Sequence, residues 1–191
     1  MKDIANFLFE TGMLKRTPRS GLQFLGSGKE SVAEHSFRVI MIAYTLARLN
    51  SQVDENRVLK MTLFHDILET RTGDLNYVNK KYLKVHEEKA ANELADDLPF
   101  GDELKDLLKE FREKKTLESF IANDADQLEL ILTLKEYGDL GNKYTKDWIL
   151  FALKRLYTPQ ARELAESILS TDSAEWWFKD KSDWWVWGKE K

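Results

Sequence analysis

The chain has 191 residues, of which 42% are hydrophobic and 32% charged, so it can bury one sizeable core. Its formal net charge of −4 gives no long-range attraction for nucleic acid or for an anionic membrane. Because there is no cysteine, disulfides and thiolate metal sites are excluded, and imidazole and carboxylate are the strong metal ligands that remain. With no signal-peptide pattern and no apolar run of ~20 residues, we expect a soluble, cytoplasmic protein.

An all-α fold is predicted because only three prolines occur and the apolar residues recur at three- and four-residue spacing. We expect a single domain over 1–191, built as a multi-helix bundle. A long loop should follow the first helix, and Ser31 with Glu34 should form a capping box that opens the second. The predicted helices cover 3–14, 32–49, 55–69, 77–97, 101–113, 116–136, 145–156 and 159–170.

A tryptophan-rich tail over 171–191 follows the last predicted helix and contains five of the six tryptophans. Indole rings can insert at a membrane interface or stack on bases, but the interspersed acidic residues oppose an anionic surface. We therefore expect the tail to pack on the edge of the core or at a subunit contact.

Four polar residues lie where the helices are otherwise apolar, and their side chains are all of metal-binding types. His35 falls in the first turn of its predicted helix, His65 and Asp66 fall in the last turn of theirs, and Asp126 lies in mid-helix. A buried polar group costs free energy unless it is satisfied. One divalent cation would satisfy all four.

Neighbouring residues on a helix point about 100° apart, so His65 and Asp66 reach one ion only at the helix edge. With His35 and Asp126, that ion would join three helices at ligand distances of ~2.0–2.2 Å. Mixed imidazole and carboxylate ligation suits Mn, Co, Fe, Ni or Zn better than Ca, and Mg remains a further possibility. Four protein ligands would leave room for water and a substrate oxygen, as in a hydrolytic site.

The segments EHS, HDILETRTGD and ADQLEL together resemble the HD-domain phosphohydrolase superfamily in its 5′-deoxynucleotidase branch. The resemblance covers residues 10–137, with a metal-binding core at about 30–137. It implies that the metal ligands are His35, His65, Asp66 and Asp126, that Arg19 binds phosphate, and that Glu69 and Asp74 complete the site. It also implies removal of phosphate from nucleoside 5′-monophosphates, often deoxyribonucleotides, by a metal-dependent homodimer.

The chemistry of phosphate monoester hydrolysis fits these residue types. Arg19 offers a planar fork for a phosphoryl group, with Arg16 and Lys29 as weaker candidates. Glu69, one turn beyond His65, could act as general acid or orient the water. Asp74 could hold a sugar hydroxyl.

The sequence also departs from the bacterial members of that branch, in which a tryptophan follows the phosphate-binding arginine; here the position is Ser20. Asp124 is an alternative metal ligand to Asp126. We favour Asp126, because Leu128 lies two residues after it, as in the ADxL pattern of the superfamily. One alternative function is an HD enzyme for phosphodiesters, nucleoside triphosphates or alarmones, although Thr70 argues against an alarmone. Another is a module that binds nucleotides without turnover.

Overall fold

A computed structural model describes residues 1–179, 182 and 184–188 of the chain. Its α-helices are α1 (Lys2–Thr11), α2 (Val32–Arg48), α3 (Glu55–Phe64), α4 (Glu69–Thr72), α5 (Asn79–Tyr82), α6 (Glu87–Ala95), α7 (Gly101–Glu113), α8 (Leu117–Asp139), α9 (Thr145–Leu153), α10 (Pro159–Ser170), α11 (Glu175–Phe178) and α12 (Trp184–Trp187). Two 3₁₀ helices cover Gly12–Lys15 and Ser20–Leu25. The predicted all-α fold is confirmed, since the described residues contain an isolated β-bridge between Pro18 and Ser31 but no strand.

Helix α8 lies at the centre of the bundle, where it packs against α2, α3, α7, α9 and α10. It begins at a capping box in which Thr116 accepts a hydrogen bond from the amide of Ser119. Leu128 and Ile131 are completely buried in the main core cluster. Polar residues on α8 are therefore brought into contact with several other helices.

Helix α2 begins where the sequence predicts, at the capping box of Ser31 and Glu34. The Glu34 carboxylate accepts a hydrogen bond from the Ser31 amide at 2.7 Å, and the Ser31 hydroxyl accepts one from the Glu34 amide at 3.3 Å. This cap directs the first turn into the core, where His35 is completely buried.

The helix predicted over 55–69 is interrupted, because α3 ends at Phe64 and a tight turn precedes α4. In the turn, the amides of Ile67 and Glu69 donate to carbonyls three residues back, both at 3.0 Å. The His65 ring donates a hydrogen bond to the carbonyl of Thr62. In a continuous helix, this carbonyl would instead accept a hydrogen bond from the Asp66 amide. Helix α3 therefore ends just before His65, and the prediction that His65 and Asp66 lie in the last turn of a helix is wrong.

Two further segments differ from the sequence prediction. The helix predicted over 77–97 is divided into α5 and α6, since the exposed Leu83 is extended and no buried face continues through it. The predicted loop contains the 3₁₀ helix Ser20–Leu25, in which Leu22 and Leu25 are buried at the three-residue spacing of that helix.

The described part of the tail is attached to the bundle where the Ser173 amide donates to Asp139 at 3.0 Å. Its aromatic rings contact one another, with the Trp177 and Trp185 centroids 5.7 Å apart. Residues 180, 181, 183 and 189–191 of the predicted tail lie outside the described residues. Across the helices that are described, no segment combines the length and apolar character needed to span a bilayer.

Candidate metal centre

Four candidate donor atoms converge at the meeting point of α2, the 65–68 turn and α8. The Nε2 atom of His35 lies 3.3 Å from Nε2 of His65, 3.2 Å from Oδ1 of Asp126 and 3.5 Å from Oδ2 of Asp66. The same Asp66 oxygen lies 3.2 Å from Nε2 of His65. The structure thus brings together all four residues that the sequence suggested as metal ligands.

Both imidazole rings are held so that Nε2 faces this meeting point. The Nδ1 atom of His65 lies 2.7 Å from the carbonyl oxygen of Thr62, which can only accept, so Nδ1 donates. The Nδ1 atom of His35 lies 2.6 Å from Oε2 of Glu129. Histidine ligands of metals usually donate their other ring N–H in this way, which orients the ring and leaves the Nε2 lone pair available.

The electrostatics of the site favour positive charge. Burial and the Arg19 charge lower the pKa of His35, but hydrogen bonds with Asp126 and Glu129 outweigh them and raise it to about 10. Burial raises the pKa of Asp126, yet the His35 hydrogen bond holds it at about 2. A divalent cation would compete with a proton for the same position between these groups.

An unsatisfied buried atom also fits a cation. Oδ2 of Asp66 is buried and has no hydrogen-bond partner among the described residues, although both imidazoles lie near it. Burial raises the pKa of Asp66, but His65, His35 and Arg19 hold it well below its usual range, so the carboxylate is charged. Two imidazoles and two carboxylates form a donor set without sulfur, which suits a divalent first-row metal.

Glu129 is a buried residue that the sequence reasoning missed. Its Oε2 contacts the His35 ring, and its Oε1 accepts hydrogen bonds from Arg38 at 2.7 Å and from the Thr133 hydroxyl at 2.9 Å. Burial raises its pKa, but the His35 hydrogen bond and the Arg38 charge lower it to about 2. The feature of the sequence that could have indicated Glu129 is the position of this glutamate between Leu128 and Ile131, on the apolar side of α8.

The alternative ligand Asp124 points to a different part of the core. Its carboxylate accepts hydrogen bonds from the amides of Tyr157 and Thr158 at 2.7 and 2.8 Å, and from the Thr158 hydroxyl at 2.6 Å. It therefore anchors the start of α10. Asp126, two residues further along α8, is the aspartate that faces His35.

A cavity of about 390 Å³ opens beside the four converging residues, and Arg19 lies in its wall. The guanidinium approaches Asp66 at 3.6 Å, and the Arg19 amide donates to the Glu30 carbonyl at 2.9 Å. Burial lowers the pKa of Arg19, but the surrounding carboxylates raise it, so the guanidinium is charged. Arg16 is exposed, and Lys29 lines a separate surface depression.

The remaining predicted site residues, Glu69 and Asp74, line the same cavity. Oε2 of Glu69 is buried without a hydrogen-bond partner among the described residues, and burial with the charges of Asp66 and Asp74 raises its pKa to about 9. Oδ2 of Asp74 accepts a hydrogen bond from the Ser20 amide at 2.7 Å. The cavity thus contains a charged guanidinium and a carboxyl group with a raised pKa.

Cations on other segments also reach this cavity and were missed from the sequence. Lys80 and Lys114 both line it, and Lys114 adopts a left-handed backbone conformation, with φ of 51°, at the end of α7. Such a φ is uncommon outside glycine and often accompanies functional sites. No local pattern in the sequence places these lysines near Asp66.

Known proteins share this helical bundle with the present chain. Residues 11–168 match the HD domain family, and the chain belongs to that family. This finding confirms the family predicted from the three sequence segments. In the same class is a solved structure from Magnetospirillum magnetotacticum MS-1, described as a predicted metal-dependent phosphohydrolase. It is 26% identical, with a TM-score of 0.70, and the match covers 88% of this chain and 90% of that one.

Individual relatives indicate which branch of the HD domain family the chain resembles. The chain is 32% identical over 148 residues to the 5′-deoxynucleotidase HDDC2 of Bos taurus, covering 74% of this chain and 71% of the relative. The Danio rerio protein of the same name is 28% identical over 91% of this chain and 97% of its own length. A conserved hypothetical protein from Pyrococcus furiosus is 33% identical with a TM-score of 0.74, covering 86% of this chain and 98% of that one.

Proposed function

We propose that this protein is a metal-dependent phosphomonoesterase that hydrolyses nucleoside 5′-monophosphates to nucleoside and phosphate. The observation that carries the proposal is the convergence of His35, His65, Asp66 and Asp126 beside a cavity lined by Arg19 and Glu69. The names of the HDDC2 relatives support a nucleotide substrate and favour deoxyribonucleotides.

The four converging residues are the proposed ligands of one divalent cation. When bound, a cation of this kind supplies positive charge and lowers the pKa of water from 15.7 towards ~7. Glu129 and the Thr62 carbonyl orient the two imidazoles for this role. Mn, Co, Zn, Fe, Ni and Mg are the candidate ions.

The other side chains of the cavity have complementary roles. Arg19 binds the phosphoryl oxygens through its planar donors, and Asp74 holds a sugar hydroxyl. Glu69, whose pKa is raised by burial and by the neighbouring aspartates, donates its proton to the 5′-oxygen as the bond from phosphorus to that oxygen breaks. The attacking water forms the new bond to phosphorus and releases one proton, which returns to the Glu69 carboxylate, so atoms and charge balance.

The proposal also covers the cellular compartment and the oligomeric state of the enzyme. We propose that the enzyme acts in the cytoplasm, in keeping with its cysteine-free composition. We also propose a homodimer, supported by the family resemblance and by the exposed aromatic tail.

The direct test is release of phosphate from a panel of ribo- and deoxyribonucleoside 5′-monophosphates, with Mn, Co, Zn or Mg added singly to chelator-treated protein. Phosphate should be released from monophosphates only when a metal is present, and faster from the deoxy series. Bis(p-nitrophenyl) phosphate and nucleoside triphosphates serve as competing substrates. Release from these compounds but not from monophosphates would overturn the proposal in favour of another HD phosphohydrolase.

A further inference from the structure

The cavity that Arg19 lines also has aromatic side chains in its wall. Tyr77 and Trp148 both line it, with ring centroids 6.3 Å apart and planes at 83°, so that they form a corner. The guanidinium of Arg155 lies 5.1 Å from the centroid of the Tyr77 ring and lines the same wall. None of these three residues has a role in the proposed hydrolysis.

Both rings are held in place by other parts of the fold. Trp148, on α9, packs against the core cluster of Leu22, Leu25 and Leu134, and its ring meets that of Phe24 edge-on at 6.3 Å. Tyr77 is half-exposed and is supported by the Arg155 guanidinium rather than by the core. A half-exposed ring beside a rigid indole is a preformed surface for a flat ligand.

The positions along the chain relate this corner to the proposed phosphate and sugar groups. Tyr77 follows Asp74 by three residues. Gly21 follows Arg19 by two residues, and a side-chain carbon at Gly21 would lie 3.9 Å from the Trp148 ring. All of these residues line one cavity of about 390 Å³, a size typical of small-ligand sites. A substrate bound at Arg19 and Asp74 would therefore have its remaining part near the aromatic corner.

We infer that Tyr77, Trp148 and Arg155 form the nucleobase subsite of this cavity. The inference rests on the proposed function, since it assigns the part of a nucleotide that the phosphate and sugar groups leave unbound. Aromatic rings stack on every base because every base has a π-face, so the corner accepts purines and pyrimidines. Arg155 has only donors to offer, and these suit base carbonyl oxygens and ring nitrogens.

Trp148 is the better residue for a test, because Arg155 also contacts the metal centre indirectly. Arg155 donates to the Gln127 side chain at 3.1 Å, and Gln127 donates to Oδ2 of Asp126 at 2.8 Å. A change at Arg155 would therefore mix base binding with the position of a proposed ligand. Among the described residues, no hydrogen bond links the Trp148 side chain to a proposed ligand.

The kinetic experiment compares Trp148→Ala and Trp148→Phe with wild type, with Trp176→Ala in the exposed tail as the matched control. The substrates are the deoxyribonucleoside 5′-monophosphates and 2-deoxyribose 5-phosphate, which lacks a base. Trp148→Ala should lower the ratio of kcat/KM for nucleotide to that for sugar phosphate by about 5- to 150-fold, mainly through KM. Trp148→Phe should lose less, and Trp176→Ala should keep the wild-type ratio.

An unchanged ratio in Trp148→Ala would overturn the inference, because a structural role would lower activity towards both substrates equally. A second measurement is independent of catalysis: the Kd of deoxyguanosine for chelator-treated protein, followed by NMR titration. Trp148→Ala should raise this Kd by a similar factor, and the Kd for Trp148→Phe should lie between the values for wild type and Trp148→Ala. Equal Kd values, or no saturable binding to wild type, would contradict the subsite. If no phosphomonoester is cleaved but this weakening occurs, the proposed function fails and the base subsite stands.

Discussion

Glu69 lies in an environment unlike that of an ordinary, solvated carboxylate. It is half-buried with its Oε2 atom enclosed, and this burial together with the charges of Asp66 and Asp74 raises its pKa to about 9. A general acid is most useful when it still carries its proton at the operating pH. A cation bound nearby would lower this pKa, so the loss of the proton should occur at or below about pH 9.

We expect Glu69→Gln to lower kcat by about 10²- to 10⁴-fold with little change in KM, because the amide cannot protonate the leaving oxygen. In wild type, kcat should fall as the pH rises through the pKa of Glu69, since the proton is then lost. Steady-state kinetics from pH 6 to 10 measures both effects, with Glu88→Gln on the exposed side of α6 as control. Normal turnover in Glu69→Gln would rule out the acid role.

Much of the site could be predicted at the level of single residues, because a histidine or aspartate on an apolar helix face is conspicuous. His35, His65, Asp66 and Asp126 were found in this way, and the structure brings them together. Glu129 was missed because its role depends on a ring that lies 94 residues away in the chain. The choice of Asp126 over Asp124 was made from the ADxL pattern, and the hydrogen bonds of Asp124 with Tyr157 and Thr158 agree with it.

At the scale of elements, helix α8 carries both Asp126 and Glu129, so one helix supplies a proposed ligand and the group that orients another. The Glu129 carboxylate connects His35 to Arg38 and Thr133. Partners of this kind fix the ring orientation of a ligand and raise its basicity. The buried glutamate is therefore expected to affect metal affinity without touching the metal.

Glu129→Gln should weaken metal binding by about 10- to 100-fold while the fold is retained, because the amide orients His35 less strongly than the carboxylate does. Competition with a fluorescent chelator gives the affinity, and circular dichroism checks the helices. Glu136→Gln is the matched control, since Glu136 bonds Arg38 but lies on the half-exposed side of α8. Equal affinities in the two variants would contradict the orienting role.

Gly28 lies in the segment that carries Arg19 and adopts a left-handed conformation with φ of 88°. A side-chain carbon there would meet the Tyr137 phenol oxygen at 2.1 Å. Gly28→Ala should lower the free energy of unfolding by about 1–3 kcal/mol and raise KM, because either Tyr137 or this segment must move.

Urea unfolding measures the effect, with Gly12→Ala as control. Gly12 has φ of −61° and nothing within 4 Å of the added carbon, so alanine there should be neutral or slightly stabilising. If the two alanine variants are equally stable, the close approach at Gly28 has no energetic consequence.

The elements themselves were predictable where a cap or a long apolar repeat marks them, as at the starts of α2 and α8. The turn at 65–68 was not, because the Thr62 carbonyl bonds a side chain instead of continuing the helix. The corner formed by Tyr77 and Trp148 could not be predicted either, since it joins segments that are 71 residues apart only through the tertiary fold.

At the scale of the whole molecule, the described tail presents indole rings that are only half-covered. Trp177 and Trp185 are 48% and 44% exposed even though they contact each other. Burial of such aromatic surface is a common source of stability in subunit contacts. The predicted homodimer would therefore use this tail.

We expect the wild-type protein to have the mass of two chains in solution, and a chain ending at Ser170 to have the mass of one. Light scattering coupled to gel filtration measures both. The shortened chain should keep its metal content, because none of the proposed ligands lies in the tail. A full-length monomer, or a shortened chain that still dimerises, would contradict the role of the tail.

The proposed cation would lie between α2, the 65–68 turn and α8, and so would join three parts of the bundle. The most direct test is the metal content of the purified protein, measured by plasma mass spectrometry after loading and gel filtration, in wild type, Asp126→Ala and Asp124→Asn. Wild type and Asp124→Asn should each retain about one ion per chain, whereas Asp126→Ala should retain far less. Equal metal content in wild type and Asp126→Ala would contradict the proposed metal site.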